Sequence, residues 1–528
     1  MTMLPSAVWA VTLLASIVHA HPTHPTRAEL AIITPPPVPQ PPQHQYQRRD
    51  IIDSLTSKVE SYGASLLSDL GSAIPSYVTD GILPGFVDLP TGSEVLSSAG
   101  VSSTDLDAEP TQVLNIPGYG NWTGSQWNLR VHGNVFKQPD LSNDTIDDLA
   151  NTFLIDTSVS KLDQTGQDQA RNLTREIFVV QQDDVNVTVN ILPGPQFGGD
   201  GESDGGGGVT AAGINQTIQL PYETTLEGDF DVFVKLDQST SDLTAGTGQI
   251  PPQRVNVYAQ GTDTGNATSY LVSDEGLTVI SDIDDILRVT KIYDPKEGLL
   301  NSFARPFVQW MNMPEIYQNW SVSLPNMHFH YLTTTPEQVT RNYMDFIYKT
   351  YPGGSFDTRP LNFSDVSATL SIRKFLLDKI FQTFPNRKFI LVADTSNPDV
   401  MTDYPQMATD YPGQVQCIFL RNTTATDSSD HFPYNTEGFK NLNQQMYMFF
   451  LTPDDLTNLD IVNGQCYNSS VPQNVTFSYQ GLPFGLEIGS SNSSDNNTAS
   501  SLLHGVSTWQ SPLSLPLLLA CAFLFLAL

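Results

Sequence analysis

The sequence predicts an α/β unit built on a doubly wound parallel sheet, preceded by an antiparallel, β-sandwich-like unit. Three observations carry this. Leu277-Thr278-Val279-Ile280-Ser281 is an apolar run that ends abruptly in Asp282-Ile283-Asp284-Asp285. Such a run reads as a buried parallel strand, and open α/β sheets place their sites beyond the carboxyl ends of these strands. Further apolar runs at 329–332, 389–393 and 415–420 alternate with helical spacing near 336–350, 366–383, 399–411 and 436–450, the order of a mainly parallel sheet. Ahead of residue 277 the texture differs: short alternating runs at 127–133, 177–180, 185–189 and 230–234 predict antiparallel strands.

The 528 residues carry 25 Lys and Arg against 56 Asp and Glu, a net charge of −31. That balance argues against nucleic acid or an anionic membrane surface as the main partner. Residues 1–20 read as a signal peptide ending in Val18-His19-Ala20, and 21–49 as a disordered propeptide closed by the dibasic Arg48-Arg49. Residues 50–112 read as an amphipathic helix (Ile51, Leu55, Val59, Leu66) and a linker. The β-rich unit is expected over 113–272, the α/β unit over 273–455 and a polar segment over 456–500. Residues 501–528 read as a glycosylphosphatidylinositol attachment signal, with Asn497 and Ser500 as candidate attachment positions. Thirteen N-x-S/T sequons are present, among them Asn121, Asn143, Asn172, Asn186, Asn215, Asn266, Asn319, Asn362, Asn422, Asn468 and Asn474. The expected location is extracellular, at the cell surface, tethered to the membrane through a lipid anchor. Cys521 falls in the terminal tail, which leaves Cys417 and Cys466 as a candidate disulfide. The tract Gly198 to Gly208 lacks the strand, helix and lysine of a phosphate-binding loop and reads as a flexible connection.

In an extended chain Asp282 and Asp284 point the same way while Asp285 faces elsewhere. Two carboxylates that close repel unless a cation lies between them or one takes a proton. With a divalent ion such as Mg²⁺, one acid can attack phosphorus while its neighbour handles the leaving-group proton. The nine histidines show no zinc spacing, and no G-x-S-x-G elbow appears.

Asp282-Ile283-Asp284-Asp285-Ile286 resembles the D-x-D-x-T/V signature of the haloacid dehalogenase superfamily of phosphotransferases. The run from Val279 to Lys291, with Pro295-Lys296-Glu297-Gly298-Leu299-Leu300 and Phe303-Ala304-Arg305-Pro306-Phe307, is similar to the fungal actin-patch phosphatidate phosphatase family. The resemblance spans about residues 115–450. It implies a haloacid-dehalogenase-like fold, with Asp282 as nucleophile and Asp284 as acid and base. Thr333, with Thr334 beside it, falls at the hydroxyl that holds phosphate. Arg373 falls at the family's lysine position, with Lys374 next to it. Asp394 and Asp399 fall on the metal-binding acids, and Mg²⁺ is implied at Asp282, Asp394 and Asp284, the last through its carbonyl. The implied substrate is phosphatidate or another phosphomonoester. The sequence departs from the family pattern at Ile286, Ala393, Asn397 and Arg373. Those departures keep a second expectation open, a catalytically inactive cell-surface binding or structural glycoprotein on the same fold.

Overall fold

The computed structural model describes residues 101–473 and 479–480, apart from 195–208, 212, 225–227, 240, 360–365 and 428–433. The expected signal peptide, propeptide, 50–85 helix, Gly198–Gly208 connection and attachment signal lie outside the described residues. So do Asn362, Asn474, Asn497 and Ser500.

The amino-terminal unit is one sheet of ten strands: β1 (Thr111–Ile116), β2 (Tyr119–Trp122), β3 (Trp127–Lys137), β4 (Val180–Gln181), β5 (Thr188–Pro193), β6 (Val209–Thr210), β7 (Gln216–Gln219), β8 (Asp229–Lys235), β9 (Gln253–Ala259) and β10 (Asn266–Val272). Its pairing is mainly antiparallel, but β10 runs parallel to β2 and β6 parallel to β9, which corrects the purely antiparallel expectation. Neither pair is joined by a tight hairpin, so nothing in the connection forces opposite directions. Helices α1 (Ser103–Ala108), α2 (Asn143–Ala150) and α3 (Gln164–Ile177) were not anticipated. Side chains of Ser142 and Asp163 cap α2 and α3 by accepting from the Thr145 and Gly166 amides. The strand expected at 177–180 is therefore the end of α3 followed by the short β4. Ala170, Leu173 and Ile177 lie on the buried face of α3, and that helical stripe claims Ile177 before a strand can.

The second sheet has six strands, all parallel: β11 (Leu277–Ser281), β12 (His328–Pro336), β13 (Ser355–Arg359), β14 (Lys388–Asp394), β15 (Val415–Arg421) and β17 (Tyr447–Phe450), in the order β13-β12-β11-β14-β15-β17. A small pair, β16 (Tyr434–Asn435) with β18 (Tyr479–Gln480), lies apart. Around the sheet are α4 (Pro295–Phe303), α5 (Met313–Ser323), α6 (Glu337–Thr350), α7 (Val366–Thr383), α8 (Pro398–Asp410) and α9 (Thr423–Thr426). Alternate strand residues feed two cores. Val279, Ile390, Val392 and Phe419 pack with Tyr317 and Trp320 of α5 and Tyr343 and Ile347 of α6. Ile280, Leu391, Ala393 and Leu420 pack with Leu377 and Phe381 of α7 and Val400 and Tyr404 of α8. Helices thus cover both faces, as a parallel sheet requires, and the strand order reverses between β11 and β14, which makes their carboxyl ends the switch point.

The helix expected near 436–450 is not there. Short 3₁₀ turns occupy 437–439 and 444–446, and Tyr447–Phe450 forms edge strand β17 with all four side chains buried. Phe439, Leu442 and Met446 mimic helical spacing, while the aromatic run behind them fits a strand buried on both faces.

Cys417 of β15 and Cys466 are joined by a disulfide across 49 residues, with a Cα–Cα distance of 5.6 Å. Closing a loop of that length restricts the unfolded chain, so the Cys417→Ala, Cys466→Ala double variant is expected to lose ~4 kcal/mol of stability. Urea unfolding measures this directly; an unchanged midpoint would show that the bond contributes nothing.

The two sheets meet along a buried ionic seam. Arg130 of β3 donates to Asp231 of β8 at 2.8 and 2.9 Å and to Asp357 of β13 at 2.5 Å. Lys379 of α7 reaches Asp231 at 2.5 Å, and His330 Nε2 of β12 lies 3.2 Å from Asp357. Arg387, fully buried, donates to the carbonyls of Ser273, Glu275, Leu277 and Asn326 and so fastens the passage from β10 into β11.

Candidate active site

β11 is buried along its whole length, and the Asp282 amide extends its pairing by donating to Val392 of β14 at 2.8 Å. The chain then turns sharply. Asp285 takes a left-handed conformation, φ 55°, which aspartate tolerates better than most residues. Its carboxylate accepts from the amides of Thr290, Lys291 and Ile292 at 3.2, 2.8 and 3.0 Å, and Arg421 donates to its carbonyl. Asp285 thus shapes the turn that follows the two acids, and its charge also bears on Asp394.

Asp282 Oδ1 accepts from the Ile283 amide at 2.9 Å, and its Oδ2 lies 3.1 Å from Arg373 Nη2. Burial pushes the Asp282 carboxyl up to about 6; Arg373 pulls it down and Asp284 pushes it up. Arg373 is 1% exposed, and none of its three guanidinium nitrogens makes a well-formed hydrogen bond to a described residue. A buried guanidinium left so is costly and is suited to a tetrahedral oxyanion with several acceptors. Lys374 does not join it. One position further along α7 it points about 100° away and pairs with Asp378 and Asp410 at 2.8 and 3.0 Å. The phosphate-binding expectation for Lys374 is corrected accordingly.

Asp394, at the end of β14, is buried; its Oδ1 accepts from the amide and hydroxyl of Ser396. Burial first, then the charges of Asp285 and Asp282, hold its carboxyl well above the usual range. Asp399 is half-buried beside the Arg373 cation; burial raises its carboxyl while that cation lowers it, and its amide donates to Asn397 Oδ1 at the start of α8. Asp403 shares that position, with a carboxyl pushed up to about 7 by burial and by Asp399. Thr333 and Thr334 are buried one strand over, beyond the end of the β11–β12 ladder, and the Thr335 amide donates to Thr333 Oγ1 at 3.1 Å.

The remaining acid, Asp284, is held by residues not singled out from the sequence. Arg288 Nε donates to its Oδ1 at 2.8 Å and Thr290 Oγ1 at 2.7 Å. Arg288 is fully buried between the rings of Phe307 and Tyr343. A basic residue four places after the second acid was the legible signal for it. Ile286 packs with Ile283 and Leu287 in the apolar core. Its bulk is therefore absorbed by packing.

Buried carboxylates whose charges crowd one another, as those of Asp285 and Asp282 do Asp394, suit a hard divalent ion with oxygen ligands. Among the described residues no three His, Cys, Asp or Glu side chains gather at ligand distances.

Of the described sequons, Asn143, Asn172, Asn186, Asn215, Asn266 and Asn319 are exposed, and Asn422 and Asn468 are half-buried. Asn121 is corrected: it is buried, and its Nδ2 donates to the Thr383 carbonyl at 3.2 Å, so the folded chain has no room for a glycan there.

This arrangement defines a switch-point site of clustered acids facing a buried arginine. Residues 277–422 match the family model described as phosphatidate phosphatase APP1, catalytic domain. The chain is 24% identical over 219 residues to phosphatidate phosphatase APP1 of Saccharomyces cerevisiae, covering 39% of this chain and 37% of that protein. It thus spans well under half the length of that relative. A crystal structure of a beta-galactosidase from Bacteroides fragilis aligns at 9% identity over 61% of this chain and 49% of the other, with a TM-score of 0.18, too low to carry an argument.

Proposed function

We propose that the chain hydrolyses phosphatidate to diacylglycerol and phosphate through an aspartyl-phosphate at Asp282. The observation that carries this reading is the buried Asp282 carboxylate facing the unsatisfied guanidinium of Arg373. The match of residues 277–422 to a phosphatidate phosphatase catalytic domain supports the substrate class.

An Asp282 carboxylate oxygen attacks phosphorus, and the bond from phosphorus to the leaving oxygen breaks. That oxygen keeps the electron pair and takes the proton held by Asp284. A water then attacks the aspartyl-phosphate, giving its proton to Asp284 as the bond from phosphorus to Asp282 breaks. Atoms balance: one water enters, and one alcohol and one phosphate leave. Arg373 orients the phosphoryl oxygens and offsets the charge that builds on them, with Thr333 as a further hydrogen-bonding group. Asp282 and Asp394, with the Asp284 carbonyl, would hold Mg²⁺, which supplies electrostatic stabilisation of the phosphoryl group. The exposed sequons and the disulfide support an extracellular setting for this chemistry.

The test is phosphate release from phosphatidate in mixed micelles by the purified chain, with Mg²⁺ or with a chelator. Release in Mg²⁺ that falls by ~10²-fold or more on chelation is the expected outcome. No release from a folded chain would sink the reading in favour of a binding glycoprotein.

A further inference from the structure

Asp284 is gripped on one oxygen. Arg288 Nε and Nη2 each lie 2.8 Å from Oδ1. The Thr290 hydroxyl donates to the same atom at 2.7 Å, and the Tyr343 hydroxyl stands 3.5 Å from it. Arg288 is itself immobilised. Its guanidinium carbon lies 4.2 Å from the Phe307 ring centre and 4.4 Å from that of Tyr343. Its Nη2 donates to Tyr343 Oη at 2.8 Å and Ser302 Oγ at 3.1 Å. The rings remove the rotamer freedom that would let the fork drift, and three donors on Oδ1 fix the plane of the carboxylate. Oδ2, which meets no donor among the described residues, is then the oxygen left to give and take a proton. Position 286, which carries an apolar side chain turned into the core, supplies no hydroxyl to this site.

We propose that Arg288 and Thr290 are positioning residues that aim Asp284 at the leaving oxygen, with Thr290 supplying from the following loop the hydroxyl that Ile286 lacks. This inference rests on the phosphatase reading above. It assigns the two residues to proton delivery and leaves phosphoryl binding to Arg373.

Proton delivery matters in proportion to how poor the leaving group is. The alkoxide of diacylglycerol needs the proton, whereas p-nitrophenolate departs without it. The experiment is single-turnover release of each leaving group by the full chain and by Arg288→Gln, Thr290→Val and Thr290→Ser. Arg288→Gln is expected to slow diacylglycerol release by ~10²-fold and p-nitrophenolate release by less than ~3-fold, leaving a burst of the latter before slow turnover. Thr290→Val should show the same split at ~10-fold, and Thr290→Ser should recover most of it. If Arg288→Gln loses its cooperative melt, Thr290→Val, which keeps the side-chain shape, decides alone. Equal slowing of both leaving groups in an active enzyme, or no slowing of either, overturns the positioning role and leaves the phosphatase reading standing. A wild type that hydrolyses neither ester overturns both.

Discussion

Asp282→Asn is expected to lower phosphate release from phosphatidate by ~10³-fold or more, because an amide cannot serve as the nucleophile. The fold should tolerate the change. The amide oxygen can still accept from Ile283, and the side chain keeps its shape. Stability at neutral pH, measured with chelator present, is expected to hold or rise. The Asp282 carboxyl is pushed up to about 6 by burial, against ~4 in an unfolded chain. A folded value above the unfolded one favours folding while the group is protonated, so that contribution is whole below pH ~4 and is lost as pH climbs through about 6. The asparagine removes that loss. An activity defect accompanied by a lower melting temperature at pH 7.5 would instead assign Asp282 a structural role.

Arg373→Met should cost ~10² to 10³ in kcat/KM, the scale for removing a preorganised donor from a developing oxyanion. The reason lies in its surroundings: all three nitrogens are buried and short of hydrogen-bond acceptors among the described residues, so in the proposed reaction they are free to donate to the phosphoryl oxygens. Arg373→Lys keeps the charge without the fork and should fall between wild type and Arg373→Met. Lys374→Met is the control. Its pairs with Asp378 and Asp410 are partly exposed, such pairs contribute little, and activity should stay within ~2-fold. A larger loss from Lys374→Met than from Arg373→Met would reverse the assignment of the two cations.

The pattern of apolar runs located β11, β12, β14 and β15, with α6, α7 and α8 between them but not α4 or α5, because strands buried on both faces have no polar alternation to confuse them. The same rule failed at 436–450, where Phe439, Leu442 and Met446 imitate a helical stripe ahead of a strand. Neighbouring cations Arg373 and Lys374 could not be separated by sequence, since the helix angle that divides them depends on where α7 sits. Asn121 carries a full sequon, but burial of its amide against Thr383 depends on the meeting of two units far apart in the chain. The spacing of Arg288 from Asp284 was visible but its role was not, because a lone arginine after an acidic turn reads as an ordinary surface charge. Its aromatic walls come from Phe307 and from Tyr343, a helix away.

The seam between the sheets bears on how much of this chain is needed for anything to work. A fragment trimmed to residues 277–422 would keep Asp357, His330 and Lys379 but lose Arg130 and Asp231, stranding polar groups that the whole chain keeps dry. Breaking such a buried pair by removing one partner costs ~3 to 5 kcal/mol, comparable with the whole margin of an ordinary domain. The β-rich unit is therefore the counterion of the α/β unit as well as its neighbour in sequence. Grafting the acidic site onto another protein, or secreting it alone, would require either carrying that unit along or neutralising the seam.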